Sequence, residues 1–282
     1  MYIRGMASKA VLITGCSTGI GRKTAEHLAE HGWTVYATAR RPESIAELEQ
    51  KGCRTLALDV TDENSMQAAV RAVEEAEGAV GVLINNAGYS QSGAVEEVPM
   101  DQVRRQFETN VFGLLRMCQL VLPGMRRQGF GKIVNVSSMG GRLVFPGGGI
   151  YHGTKYAVEA ISDAMRWEVR NFGVDVILIE PGLIKTEFGE TAAHSVNEAT
   201  PSNGPYAEFN QLVAATTAGA YEGRGAVGPE VVAKRIAKAI SRKRSGTRYP
   251  ITAGARVLLG VRKVLPDRGW DALMRTQFKP PG

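Results

Sequence analysis

Ala10-Val11-Leu12-Ile13-Thr14 runs straight into Gly15-Cys16-Ser17-Thr18-Gly19-Ile20-Gly21, and a helical stretch then continues to Glu30. A short apolar strand, a glycine turn and a helix in that order make one unit of a strand-helix layer architecture. Glycines let the chain turn tightly and bring free N–H groups and a helix N-terminus up to an anion such as a pyrophosphate. Helix-strand packing also wants glycine. What favours nucleotide binding is the position of this loop at the strand-to-helix junction. The spacing is G-x-x-x-G-x-G, not G-x-G-x-x-G.

Outward from this unit the alternation continues. Apolar runs at 34–39, 55–60, 80–85, 132–137 and 174–180 read as strands, and helical stretches lie at about 43–50, 62–77, 101–127 and 153–171. The strands are continuously apolar, as parallel strands buried on both faces should be. The chain, 1–282, is therefore read as a single α/β domain: a doubly wound Rossmann sheet, mostly parallel and seven-stranded, flanked by helices. From 183 to 229 the pattern loosens into small and polar residues with weak helical signals around 206–221, which suggests a substrate lid. Basic helices follow over about 230–282. There Val232, Ile236 and Ile240 make one apolar stripe, and Lys234, Arg235, Lys238 and Arg242 lie mostly on other faces.

Composition narrows the class. With 44% hydrophobic and 22% charged residues the chain is neither disordered nor fibrous. No apolar run approaches the ~18 residues of a membrane span, and the N-terminus has no signal-peptide core. Cys16, Cys53 and Cys118 are odd in number and far apart, so they read as small buried hydrophobes in a reducing cytoplasm. The four histidines show no metal spacing, and no metal is expected; His27 and His31 share a helix face without an acidic partner motif. The net charge of +6 is uneven: the segment 231–282 carries thirteen Lys or Arg against two Asp, and the first 230 residues are net −5. That basic segment reads first as solvated helix faces, with no nucleic-acid partner expected.

Two constellations carry chemistry. After the second strand the chain reads Ala37-Thr38-Ala39-Arg40-Arg41, with no acid to bind a ribose diol. A guanidinium at Arg40 suits a 2′-phosphate, and Arg41 reads as merely exposed. The second constellation is Tyr151-His152-Gly153-Thr154-Lys155, with Ser138 thirteen residues upstream. Residues i and i+4 share a helix face, so the Tyr151 phenol and the Lys155 ammonium can enter one site. In these features the sequence resembles the short-chain dehydrogenase/reductase family, in the branch whose glycine motif is T-G-x-x-x-G-x-G.

The match is close from residue 10 to about 190. Asn85-Asn86-Ala87-Gly88 matches the family's N-N-A-G, and Asn110, Ser138, Tyr151 and Lys155 match its catalytic tetrad. The resemblance implies a nicotinamide cofactor, NADP(H) ahead of NAD(H), held by Gly15, Ser17, Thr18, Gly19, Ile20, Gly21, Arg40, Asp59, Val60, Asn86, Ala87, Gly88, Tyr151, Lys155, Pro181, Gly182, Ile184 and Thr186. One departure is Thr18, which stands where NADP-preferring members often place a basic residue. In the implied mechanism Tyr151 is the acid/base, Ser138 donates to the substrate oxygen, and Asn110 holds a water linking Lys155 to solvent. Lowering a tyrosine from its usual pKa of ~10 to neutrality takes ~4 kcal/mol, which one ammonium ~4 Å away supplies at an effective dielectric of ~20.

Ser138, Phe145 and Tyr151 are the expected substrate contacts. The stretch from 139 to 182 looks most like the hydroxysteroid and retinol dehydrogenase branch. A pocket walled by Leu143, Val144, Phe145, Leu183, Phe188, Phe209, Leu212 and Val213 would have few charges and suit a small lipophilic alcohol or ketone, either steroid-, retinoid- or long-chain-carbonyl-like. The implied assembly is a homodimer or homotetramer. Val257, Leu258, Val261 and Leu265 on one basic helix suggest peripheral contact with anionic membrane. Trp33 and Trp167 read as packing residues, and Met117, Met125 and Met165 as core or interface filler. A methyltransferase would not need Tyr151, Lys155 and Ser138 together. A nucleotide-sugar epimerase resembles T-G-x-x-G-x-x-G spacing instead. A non-catalytic redox sensor of the same fold, or a reductase of small polar carbonyls, remains the alternative.

Overall fold

The sheet is built outward from β1 (Val11–Ile13), whose three residues are fully buried. On one side Val11 pairs with Val35 of β2 (Val35–Ala39), and on the other with Val82 of β4 (Val82–Asn85). With β3 (Arg54–Ala57), β5 (Gly131–Val136), β6 (Val174–Glu180) and β7 (Arg248–Pro250), the order is β3-β2-β1-β4-β5-β6-β7, and every pairing is parallel. The computed structural model describes residues 7–199, 201, 203–223 and 225–278. Strand order reverses between β1 and β4, so a crevice opens there at the carboxyl ends of the strands.

Side chains alternate across each strand and feed two cores. Val11 and Ile13 join Ala25 and Leu28 of α1 (Gly19–Glu30) and Val232, Ile236 and Ile240 of α8 (Pro229–Ile240). Leu12 and Leu83 face the other way. They meet Val70 of α2 (Glu63–Glu77), Met117 and Met125 of α4 (Leu114–Gln128), and Met165 of α5 (Gly149–Glu168). The methionines are thus core, and the α8 stripe is buried while Lys234, Lys238 and Arg242 stay exposed. All three cysteines are buried; burial pushes the Cys53 thiol up to about 11 and those of Cys16 and Cys118 to about 12.

Several elements differ from the sequence pattern. The helix expected at 43–50 is a 3₁₀ segment, Pro42–Lys51, started by its proline. The long helix expected at 101–127 is split into α3 (Met100–Phe107), a π-helical turn Glu108–Gly113 and α4. The π-turn carries Asn110, and Gly113 lies so close to β3's following loop that a Cβ there would come within 2.3 Å of the Val60 carbonyl oxygen. The segment 183–229, expected to be a loose lid, contains two regular helices, α6 (Glu187–Ala199) and α7 (Ala207–Glu222). β7 had no apolar run to announce it.

Trp33 packs against the first core, but Trp167 is 67% exposed, its ring flanked by Arg166 and Arg170. The expected apolar face of the basic segment is largely spent inside the molecule. On α9 (Ala253–Val264) Leu258 and Val261 join a cluster with Leu143 and with Trp270 and Met274 of α10 (Asp267–Arg275), while Val257 and Val264 stay exposed. At the exposed end of α1, Glu30 stands beside His27 and His31, with ligand atoms within 4.8 Å of one another, so the two histidines have an acidic partner that no motif announced.

Candidate active site

The glycine loop is held from behind. Asn86 Nδ2 donates to the carbonyl oxygens of Thr14 (3.0 Å) and Gly15 (2.8 Å), and Thr14 Oγ1 accepts from the N–H groups of Asn86 and Ala87 (both 3.0 Å). Gly15 adopts a φ of +72°, which favours glycine, and a Cβ at Gly21 would sit 2.2 Å from the Gly15 carbonyl oxygen. The Thr18 side chain makes no capping hydrogen bond, and the first turn of α1 contains no acid. Its leading N–H groups therefore point at the crevice, where the helix dipole favours an anion. This cradle fits a dinucleotide pyrophosphate.

The crevice is a cleft of about 1260 Å³. Every residue expected to hold the cofactor lines it except Gly21, which lies beneath the loop as its close-packing contact. Arg40 stands exposed at the end of β2, with Asp59 and Val60 across from it.

The tetrad meets at the inner end. Lys155 Nζ donates to the Val136 carbonyl oxygen at 2.9 Å and stands 5.8 Å from the centre of the Tyr151 ring. Asn110 pairs with both backbone groups of Tyr89: its Oδ1 accepts from the N–H (3.1 Å) and its Nδ2 donates to the carbonyl (2.9 Å), with a further bond to Thr154 Oγ1 (3.2 Å). Its side-chain amide is thus taken up in shaping the cleft wall. Ser138 Oγ accepts from Gly140 N at 3.0 Å, fixing the turn that presents it.

Burial pushes the Tyr151 phenol above its ordinary value, with Tyr221 adding to the rise and Ser138 pulling it partly back. Burial lowers the Lys155 ammonium to about 8, against the field of Glu159, which raises it. Within the protein itself, therefore, Tyr151 holds its proton at neutral pH.

His152, which the sequence reading left without a role, ties this site together. Its Nδ1 bonds the Gly140 carbonyl (2.9 Å) and its Nε2 accepts from Phe145 N (3.2 Å), joining α5 to the loop that carries Ser138. A Cβ at Gly140 or Gly148 would come within 2.4 or 2.6 Å of the imidazole, which explains two of the glycines clustered at 140–149.

The expected substrate wall is the main displacement. Phe145 turns away from the cleft and packs against Trp270, ring centres 6.3 Å apart, beside the fully buried Leu143. Leu183 joins the same cluster, and Phe209 and Val213 form another with Val196 and Phe278. Of the expected apolar wall only Phe188 lines the cleft, edge-on to Tyr151 at 5.6 Å. Nor is the mouth free of charge: Asp101, Arg105, Glu108, Glu190, His194 and Glu198 line it. A signal for the lid wall was present. Glu187, Glu190, Thr191, His194 and Glu198 recur at helical spacing and form one face of α6. Helices α6 and α7 are fastened to the loop after β4 by Gln91 Nε2 to Ser195 O (3.0 Å), Ser92 N to Ser195 Oγ (3.0 Å) and Ala94 N to Asn210 Oδ1 (3.0 Å).

Comparison with known proteins agrees with this geometry. The family model for short chain dehydrogenases matches residues 9–197, and the chain belongs to that family. It is an oxidoreductase acting on CH–OH or carbonyl groups with a nicotinamide cofactor. A 3-ketodihydrosphingosine reductase of Bacteroides thetaiotaomicron is 37% identical over 272 residues, 96% of this chain and 98% of that protein. A short-chain dehydrogenase of Streptomyces avermitilis has a similar crystal structure, with TM-score 0.79, 33% identity, and coverage of 95% of this chain and 98% of that one. A short-chain dehydrogenase/reductase of Burkholderia phymatum, solved in complex with NAD, gives TM-score 0.79 and 26% identity over 100% of both chains.

Proposed function

We propose that the protein is an NADP(H)-dependent ketone reductase in which Tyr151 is the proton donor. The observation that carries this reading is the inner end of the cleft, where a phenol that holds its proton at neutral pH shares a wall with Ser138 and Lys155. Ser138 orients the carbonyl oxygen and steadies its developing negative charge. Tyr151 gives its proton to that oxygen, and Lys155 stabilises the phenolate left behind. The nicotinamide supplies the hydride for the carbonyl carbon when bound. The loop from Gly15 to Gly21 would hold its pyrophosphate, Arg40 its 2′-phosphate, and Lys155 the adjacent ribose hydroxyls. With Ala39 in place of an acid, nothing at the end of β2 repels that phosphate.

The substrate we infer is a long-chain ketone with a polar end. Phe188 beside Tyr151 favours an apolar group at the carbonyl, and the charged mouth favours a polar one farther out. The name of the Bacteroides relative, a reductase of a long-chain ketone, supports this choice over a steroid or retinoid. The test is a series of ketones of rising chain length followed by nicotinamide absorbance. Each buried CH₂ is worth ~0.8 kcal/mol, so kcat/KM should rise about fourfold per carbon until the chain leaves the cleft. Faster turnover of small polar keto-esters or sugars would contradict the substrate and leave the reductase class standing.

A further inference from the structure

The C-terminal end of α1, away from the cleft, gathers three side chains that the reaction does not use. His27 and His31 are one helical turn apart and share a face, with ring centres 4.2 Å apart. Glu30, three residues after His27, joins that face, and one donor atom from each of the three lies within 4.8 Å of the others. Zinc bonds of about 2.0–2.1 Å in a tetrahedron set their donors roughly 3.4 Å apart. Glu30 and His31 are exposed and His27 is half-buried, so small rotations of these side chains close the difference.

The donors are already prepared for a cation. His31 Nδ1 lies 2.7 Å from the His27 carbonyl oxygen. A carbonyl has no proton to give, so Nδ1 carries it and the lone pair is left on Nε2. Metal-binding imidazoles are oriented in this way, by a backbone carbonyl on the second ring nitrogen. The backbone beneath is closed by a turn: His31 and Trp33 both donate their N–H groups to the Leu28 carbonyl (3.1 Å each), and Gly32 donates to that of Ala29 (3.0 Å). Glu30 also differs from the other acid of α1. Glu26 is taken by Arg22 at 3.6 Å and by Lys23 at 2.7 Å. Among the described residues no Lys or Arg forms a salt bridge with Glu30, and no ring nitrogen of His27 makes a hydrogen bond. The helix C-terminus favours positive charge at this spot. The field of Lys234 of α8 opposes a cation beside His27, and that of Glu30 supports it.

We propose that His27, Glu30 and His31 bind one divalent transition-metal ion, zinc foremost. The protein ligands are Nε2 of His31, a ring nitrogen of His27 and a carboxylate oxygen of Glu30, and water completes the shell. Two imidazoles and a carboxylate suit zinc and copper(II), whereas magnesium and calcium want oxygen donors alone. An open site with three ligands on one helix binds less tightly than a closed one with four. Its consequence is for stability: the ion ties down the last turn of α1, whose Leu28 packs against Val232 and Ile236 of α8.

The test is calorimetric titration of zinc chloride into the untagged whole protein after EDTA treatment and dialysis, with thermal unfolding in parallel. Wild type should take up one zinc ion per chain with a micromolar Kd, and excess zinc should raise its unfolding temperature. His27→Ala, His31→Gln and Glu30→Gln should each weaken uptake by about tenfold or more, at least what loss of an outer-shell partner costs. His194→Ala, which removes the other exposed histidine, should leave uptake unchanged. Copper(II) should bind more tightly than zinc, and magnesium should not compete. Glu30→Gln alters an exposed carboxylate alone, so it decides the case should a histidine variant fail to fold. No zinc uptake, competition by magnesium, or loss of uptake in His194→Ala overturns the proposal. So does uptake that survives the loss of both His27 and His31, which would mark an adventitious ion only.

Discussion

His152 Nδ1 lies 2.9 Å from the carbonyl oxygen of Gly140, so a buried imidazole bridges the helix of Tyr151 and the turn of Ser138. Burial pulls this imidazole down to about 4 from 6.5. In the unfolded chain it takes up a proton near 6.5, so its contribution to stability is complete above that pH and is lost as pH falls toward 4. Relative to His152→Asn, the wild type should lose about 2 kcal/mol between pH ~7 and pH ~5. Urea unfolding of both proteins at the two pH values measures this, and parallel slopes would remove His152 from the account.

Two glycines should respond in opposite ways. Gly21→Ala places a methyl group 2.2 Å from the Gly15 carbonyl oxygen and 2.4 Å from Asn86 Nδ2, so the loop must shift. It should destabilise by about 1–3 kcal/mol and weaken cofactor binding at least tenfold. Gly260→Ala lies on α9 with no atom within 4 Å of the new methyl, and should be neutral or stabilising by up to ~1 kcal/mol. Thermal unfolding and fluorescence titration with NADPH report both.

Arg40→Asp should reverse or abolish the proposed preference for NADP(H), because one phosphate partner is lost and a like charge added. The ratio of Kd values for the two cofactors measures it. Equal affinities in the wild type would refute the role of Arg40.

Phe112 of the π-turn and Trp167 of α5 are more than half exposed, and Tyr156 of α5 nearly so. These positions lie on helices that the family resemblance assigns to a two-fold interface, which would take their apolar surface out of water. Light scattering at micromolar concentration should find a dimer or tetramer, and Phe112→Glu with Trp167→Glu a smaller species. A wild-type monomer would contradict this.

The order of strands and helices could be read because each central strand is an unbroken apolar run, and the cofactor cradle because its glycines fall at a strand end. That Tyr151 and Lys155 enter one cleft was legible from their i, i+4 spacing, while Ser138 on the same wall and Asn110 behind it were picked out through the family resemblance. Phe145 was not: its pocket or core fate depends on Trp270, 125 residues away in sequence, which no local pattern connects to it. β7 was missed because a three-residue edge strand containing Arg248 and Pro250 carries no periodic signal. His152 could not be assigned because its partners are backbone groups of a loop, and backbone leaves no trace in composition.

The central claim is that Tyr151 donates the proton. Tyr151→Phe removes only the hydroxyl, so the ring keeps its place against Phe188. The measurement is kcat for reduction of a long-chain ketone beside the Kd for NADPH in wild type and variant. The account predicts a loss of at least a thousandfold in kcat, within reach of general acid catalysis, with Kd changed less than threefold. Turnover within tenfold of wild type would contradict it.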